Sequence, residues 1–227
     1  MSMCDFSGAC STYRLLREQG YPEKATLKLV GDRHRLSRTQ RNCLFRGVVP
    51  AHAAAERRAR LVSASAVAGQ TLALDWYNVL ITVESYLRGD TLFLCDDGLV
   101  RDASATHGSY RTGPVTARAM EEILAMIQRL GPARVEAYLD HPIAFSALMA
   151  EELRTLLAEG VRSPGDVSVT LERSADFALK ASTGIVASSD SAILDRCTRA
   201  FDLAHAVLRE RLRFTPPPVH DLFPQVP

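Results

Sequence analysis

The chain has 227 residues, of which 47% are hydrophobic and 23% charged, and a net charge of +1. That is the composition of a globular protein large enough for one good core plus a small second unit. No apolar run approaches a membrane span. The opening "MSMCDFSGAC" lacks the basic-then-apolar pattern of a secretory signal, and five scattered cysteines without paired spacing argue against a disulfide framework or zinc knuckle, so a cytoplasmic setting is expected.

Residues 1–65 read as a small helical domain. "STYRLLREQG" has a serine cap at Ser11, apolar helical spacing and a glycine stop. "GYPEKATLKLVGDRHRLS" follows, with Pro22 suited to opening a second helix. "SRTQRNCLFRGVV" reads as a third, capped by Ser37, and the alanine-rich "AHAAAERRARLVSAS" as a connecting helix. This head is basic: residues 1–62 carry twelve Lys/Arg against five Asp/Glu, a balance of +7, and the remainder carries −6. A basic head on an acidic body suits a protein that handles polyanions. Arginines that merely solvate helix faces, or pair with the acidic body, are the competing reading.

From residue 66 to 227 strands alternate with helices. "TLALD" (71–75) is a strand, and "NVLITVESYLRG" has helical spacing. "DTLFLCDDGLVRD" (90–102) is a hairpin signal about Asp96-Asp97-Gly98. "TARAMEEILAMIQRLG" (116–131) is an amphipathic helix stopped by Gly131. "RVEAYLD" (134–140) is a strand, "PIAFSALMAEELRTLLAEG" (142–160) a helix, and "DVSVTLE" (166–172) a strand. "SADFALKAS" (174–182) is a short helix and "GIVAS" (184–188) the last strand. "SAILDRCTRAFDLAHAVLRERLRF" (191–214) reads as one long helix, and the proline-rich tail as extended. The alternation predicts an α/β fold, a parallel sheet flanked by helices, with sites along the rim where the strands end.

Four aspartates fall at or just beyond strand ends: Asp75, Asp140, Asp176 and Asp190. Any one of them is explained by helix capping, worth roughly 0.5–2 kcal/mol. Four on one rim repel one another unless a divalent cation sits among them. Hard carboxylate oxygens suit Mg²⁺ or Mn²⁺.

"LALDWYNVL" resembles the first strand and turn of the PIN/NYN-like nucleases, and "SADFAL … GIVASSDSAILDR" is similar to their later signature. The resemblance covers roughly residues 66–212. It implies a PIN-like fold and an acidic pocket binding Mg²⁺ or Mn²⁺ for phosphodiester cleavage, usually of RNA. Asp75, Asp176 and Asp190 would be metal-site carboxylates and Asp140 a fourth. Asn78 would position a ligand or water, and Ser188 would accompany the last aspartate. The sequence departs from the pattern at Trp76 and Tyr77, where many such nucleases have small residues, and in its hairpin. The whole chain also resembles an uncharacterised prokaryotic two-part family, through "LLREQGYPEKATLKLVGDRHRLSRTQRNCLFRG", "DDGLVRDASATHGSYR" and "LDHPIAFS".

The segment "DDGLVRDASATHGSYR" is open to two readings. As a loop over the site, its Arg101, His107 and Arg111 would contact phosphate, with Asp97 and Asp102 as auxiliary acids. As a hairpin pinned by internal salt bridges, it has no such role. In the head, Arg33, Arg35, Arg38 and Arg41 would grip phosphate, and Tyr21 or Phe45 could stack a base. The sequence thus points to a metal-dependent nuclease acting on nucleic acid, RNA foremost, away from membranes, and the PIN-like resemblance implies a homodimer. The alternative is a PIN-like module that binds nucleic acid or protein without catalysis. Phosphotransfer at Asp75 ranks last, because the residue two beyond it is Tyr77 rather than a second aspartate.

Overall fold

The computed structural model describes residues 5–104, 110–141, 143–160 and 166–224, and its first helices begin where the sequence supplies caps. Helix α1 (Phe6–Glu18) starts from Asp5, whose carboxylate accepts from Gly8 N at 2.8 Å. The expected cap Ser11 lies inside α1, where its hydroxyl donates to Ser7 O. Helix α2 (Glu23–Arg33) follows Pro22 directly. Helix α3 (Arg38–Gly47) opens on a reciprocal capping box between Ser37 and Gln40, so two otherwise orphaned backbone donors are satisfied. Helix α4 (Ala51–Arg60) completes the series.

These helices do not form a unit alone. Met1–Ala59 group with Gly89–Ala105 and Thr215–Pro227. The sequence pattern assigns the last two segments to the α/β part, and the structure moves them. Their apolar side chains explain the allegiance: Phe93 and Cys95 of the hairpin, with Val219 and Leu222 of the tail, share one buried cluster with Phe6, Tyr13, Val30 and Leu44. The hairpin pairs β2 (Leu92–Leu94) antiparallel with β3 (Val100–Asp102), in the register Leu92↔Asp102 and Leu94↔Val100. Gly98 closes its turn in the left-handed region, at φ 84°, which is where glycine meets no steric penalty.

The second unit comprises Arg60–Arg88 and Thr106–Phe214. It is α/β, as expected. Strands β1 (Thr71–Asp75), β4 (Arg134–Asp140), β5 (Val167–Glu172) and β6 (Ile185–Ala187) form a sheet in the order β5-β4-β1-β6, with every pairing parallel. Helices α5 (Trp76–Arg88), α6 (Thr116–Leu130) and α7 (Ser146–Gly160) contribute to its core. Leu72, Leu74, Val135, Ala137 and Ile185 from the strands meet Ile123, Met126 and Leu153 from the helices there. Helix α5 is buried continuously from Trp76 to Ser85, which is how a helix with apolar residues on all sides behaves. Helix α6 ends on Gly131 at φ 62°, the left-handed cap its sequence implied.

Two elements differ from expectation. Helix α7 starts at Ser146 rather than near residue 142. After α8 (Ala175–Ala181) and β6, the long helix expected over 191–214 is broken into α9 (Ser191–Leu194) and a later α10 (Leu203–Ala206) that runs on as a π-turn over Val207–Arg211. Between α9 and α10 the chain turns extended. Val186 N donates to Arg199 O and Phe201 N to Val186 O, at 3.0 and 2.9 Å, so Ala200 extends the sheet beside β6. Asp202 then caps α10 by accepting from His205 N at 2.8 Å. Apolar periodicity is blind to such a break, because both halves still present apolar residues inward.

Candidate functional site

Strand β1 is central: the chain continues from it to β4 and β5 on one side and returns as β6 on the other. In open parallel sheets a crevice forms where the order reverses, at the carboxyl ends of the strands. Asp75 is the last residue of β1, Asp140 of β4, and Ser188 follows β6 directly. Asp75 is paired with Tyr138, so Asp140 lies two residues farther along the neighbouring strand and on the same face, with its Cα about 8 Å away. On the other side, the Leu74↔Ala187 pairing carries Ser188 up beside Asp75. The Ser188 hydroxyl donates to Asp75 Oδ2 at 2.7 Å.

The loop after β6 is held from below. Asn78 Oδ1 accepts both Ser189 N, at 2.8 Å, and the Ser189 hydroxyl, at 3.0 Å. Ser188 Oγ accepts from Asp190 N at 3.0 Å. Asn78 is therefore a strut between α5 and the Ser188-Ser189-Asp190 turn. Ser189 was not singled out from sequence, although two serines closing an apolar run were the available signal.

Each carboxylate also serves a helix start. Asp190 Oδ1 accepts from Ala192 N at 2.7 Å, capping α9. Asp140 Oδ1 accepts from Ala175 N at 2.9 Å, at the start of α8. Among the described residues nothing donates to the second oxygen of Asp140 or Asp190. Asp75 itself is buried, at 6% exposure. Burial pushes its carboxyl up to about 7, opposed by the Ser188 hydrogen bond and reinforced by the charges of Asp190 and Asp140. Tyr77 stands close enough to Asp140 to feel it. Burial lifts its phenol to about 12, and the Asp140 charge adds to the lift.

The structure thus brings together Asp75, Asp140, Asp190, Asn78 and Ser188. Asp176 is occupied otherwise: its carboxylate takes Lys180 Nζ at 2.7 Å, one helical turn on. No three His, Cys, Asp or Glu side chains among the described residues are gathered closely enough to hold an ion between them. Mg²⁺, however, is commonly held by one or two carboxylates and several waters. The uncommitted oxygens of Asp140 and Asp190, from the elements on either side of the buried Asp75 carboxyl, fit such a water-rich cation.

The family model described as "Domain of unknown function (DUF5616)" matches residues 64–206, a span that includes all of these residues. The chain belongs to this family. A second model, "Protein of unknown function (DUF434)", matches residues 5–60, so the DUF5616 body follows a separately recognised head and the two-part organisation holds. The uncharacterized protein MJ0935 of Methanocaldococcus jannaschii is 26% identical over 182 residues, covering 80% of this chain and 85% of that protein. No solved structure matches the chain.

The remaining predicted residues have other surroundings. Arg101 is buried, and its guanidinium donates to both oxygens of Asp97 at 3.0 and 2.9 Å. Arg57 reaches the same carboxylate at 3.1 Å. Asp102 takes Arg46 at 3.2 Å. These are the internal salt bridges of the second reading, so Arg101 is not free for phosphate, and Asp97 and Asp102 are structural rather than auxiliary acids. Burial pushes the Asp97 carboxyl up, but the Arg101 and Arg57 cations outweigh it and hold it below the usual range. Arg111 is exposed, while His107 lies outside the described residues. In the head, Arg33, Arg35 and Arg38 are not committed in this way, and all three are exposed. Arg41 is committed to Asp32 at 2.9 Å and to Leu36 O at 3.0 Å. Trp76 and Tyr77, the departures from the nuclease pattern, are core residues at 0% and 1% exposure. No helix of the described residues is long and apolar enough to cross a membrane.

Proposed function

We propose that the chain is a metal-dependent nuclease of PIN-like type, cleaving phosphodiester bonds, RNA foremost, at the Asp75–Asp140–Asp190 rim. The observation that carries the reading is the Asp75 carboxyl, 6% exposed at the end of β1 and hydrogen-bonded by Ser188 at 2.7 Å, with the charges of Asp190 and Asp140 near enough to raise it further. A charge in that position is unfavourable unless a cation answers it. One or two of Asp75, Asp140 and Asp190 would bind Mg²⁺ or Mn²⁺ directly and the rest through its waters; the ion when bound would lower the pKa of a water and stabilise charge on a phosphate. The chain's own part is orientation. Ser188 fixes Asp75, Asn78 fixes the turn that carries Asp190, and the helix starts fix one oxygen of Asp140 and of Asp190. Arg33, Arg35 and Arg38 of the head would supply phosphate contacts for guiding the substrate.

A second reading, a PIN-like module that binds nucleic acid or protein without cleaving, is favoured by the Asp176–Lys180 ion pair, which removes one expected ligand. Calorimetric titration of Mn²⁺ and Mg²⁺ into the wild type and Asp190→Asn separates the two. A specific site lost in the variant, together with metal-dependent cleavage of labelled RNA, supports the nuclease. Absence of binding in both sinks it and leaves the module.

A further inference from the structure

The corner after β4 and β5 carries two exposed aromatic rings. His141 N donates to Glu172 O at 2.7 Å, and Ala175 N donates to Asp140 Oδ1 at 2.9 Å, so the two strand ends are laced together. From this lacing the chain leads within a few residues to Phe145 on one side and Phe177 on the other. Phe145 is 69% exposed and Phe177 83%, with Leu148 at 69%. Phe145 also holds a left-handed backbone, φ 63°, which for a bulky residue is disfavoured by roughly 1–3 kcal/mol. The conformation is enforced around it: Ser146 Oγ donates to His141 O at 3.0 Å, Met149 N to Phe145 O at 3.1 Å, and Ile143, two residues earlier, is buried in the core. A rigid frame therefore displays an aromatic ring to solvent next to the acidic rim.

Charge and area narrow the occupant. Arg173, between the end of β5 and α8, is exposed and has no carboxylate partner among the described residues. His141 is exposed at the same corner. A cation interleaved with aromatic rings suits phosphate and base together. The three apolar side chains would contribute roughly 400 Å² if wholly covered, well short of the about 800 Å² per partner that a stable protein interface buries. Single bases need far less.

We infer that Phe145 and Phe177 are stacking platforms for unpaired bases of a single-stranded nucleic acid, with Arg173 contacting its backbone, beside the Asp75 rim. The inference deepens the proposed function and rests on the rim handling phosphodiesters. It gives the protein a preference for single strands, since duplex bases are already stacked on one another and offer no free face.

Binding of a short fluorescent oligoribonucleotide, measured by anisotropy with EDTA present, tests the inference without requiring cleavage. Wild type should bind the single strand more tightly than the matching duplex. Phe177→Ser and Phe145→Asn, the latter chosen because asparagine tolerates the left-handed backbone, should each weaken single-strand binding roughly 5- to 100-fold. Both should leave duplex binding unchanged, and neither should lower the circular dichroism melt. Arg173→Gln should reduce the salt dependence of binding. Equal affinity for single strand and duplex, unaltered binding in both phenylalanine variants, or no binding by the wild type overturns the inference. A dimer that Phe177→Ser converts to monomer with RNA binding intact overturns it in favour of a second copy of the chain. Loss of binding in the variants, with no Mg²⁺- or Mn²⁺-dependent cleavage by the wild type, removes the nuclease and keeps the stacking surface.

Discussion

Replacing Asp75 with asparagine should make the protein more stable at neutral pH, and by an amount that grows with pH. The folded carboxyl titrates at about 7 against an ordinary 3.8. Between those values the folded state holds a proton that the unfolded state has released, so stability falls as pH rises through the window and is fully lost above it. Roughly three pH units at 1.36 kcal/mol each is about 4 kcal/mol. The substituted amide would carry no charge, and its oxygen can still accept the Ser188 hydroxyl that now lies 2.7 Å from Asp75 Oδ2. The weaker neutral hydrogen bond returns about 1 kcal/mol of that gain. Asp75→Asn should therefore match the wild type near pH 4.5 and exceed it by about 3 kcal/mol at pH 8, or roughly 6–12 °C in Tm for a chain of this size. Urea unfolding followed by circular dichroism at several pH values, in EDTA, measures the difference. Excess Mg²⁺ should restore the wild type at pH 8 and leave the variant unmoved, because a ligand of the native state alone stabilises by mass action. Parallel pH profiles for the two proteins would refute the burial argument and, with it, the reason for expecting a cation.

Asp97→Asn should destabilise the unit built on the N-terminal helices by about 3–5 kcal/mol, because it strands the buried Arg57 and Arg101 guanidiniums. The same carboxyl, held below its usual range, contributes stability above the ordinary carboxylate pKa and loses it as pH falls through the depressed one. Acid titration of that unit, followed by hydrogen exchange at α1 and α3, should show late protonation in the wild type. Asp190→Asn should change Tm little, since its amide oxygen can still cap Ala192 N, and Asp190→Ala should lose roughly 0.5–2 kcal/mol. Calorimetry should find Mn²⁺ affinity reduced at least about tenfold in both. Gly184→Ala places a Cβ 2.8 Å from Thr71 O, and thermal melts should show a loss of roughly 1–3 kcal/mol as β6 is forced from β1.

The strand-end aspartates were legible because a parallel sheet aligns its carboxyl ends by construction: Asp75 and Asp140 close their strands, and Asp190 follows β6 after two serines. The same reasoning places Asp176 with them, and the structure pairs it with Lys180 instead. That outcome had a readable signal, an i, i+4 acid–base pair on one helix. The allegiance of the hairpin was not legible. Phe93 and Val219 are ordinary apolar residues until the helices they pack on are known, and nothing local distinguishes one core from another. For Arg101 and Asp97 the sequence left two readings open, phosphate-facing charges or internal salt bridges, and the second holds through their bidentate pairing and through Arg57, forty residues upstream of Asp97. The break after α9 was hidden for a related reason: the chain leaves the helical path so that Arg199 and Phe201 bond Val186 and Ala200 N donates to Arg60 O, and these partners lie elsewhere in the sequence.

Helix capping alone does not explain the choice of residue at the rim. Asn or Ser would accept the Ala192 N–H as well as Asp190 does, and a neutral acceptor at position 140 would serve Ala175 N without repelling its neighbours. At position 75 a neutral side chain would avoid the burial penalty altogether. Three charged residues stand where three neutral ones would satisfy every observed hydrogen bond to a helix start. The triple variant Asp75→Asn, Asp140→Asn, Asp190→Asn isolates what the charges contribute beyond the caps. With caps retained and mutual repulsion removed, it should fold, melt above the wild type at pH 8 in EDTA, and show no Tm shift with Mg²⁺ or Mn²⁺. A triple variant that melts below the wild type at pH 8 would mean that the positive helix starts already compensate the carboxylates, leaving no unbalanced charge for a cation to answer.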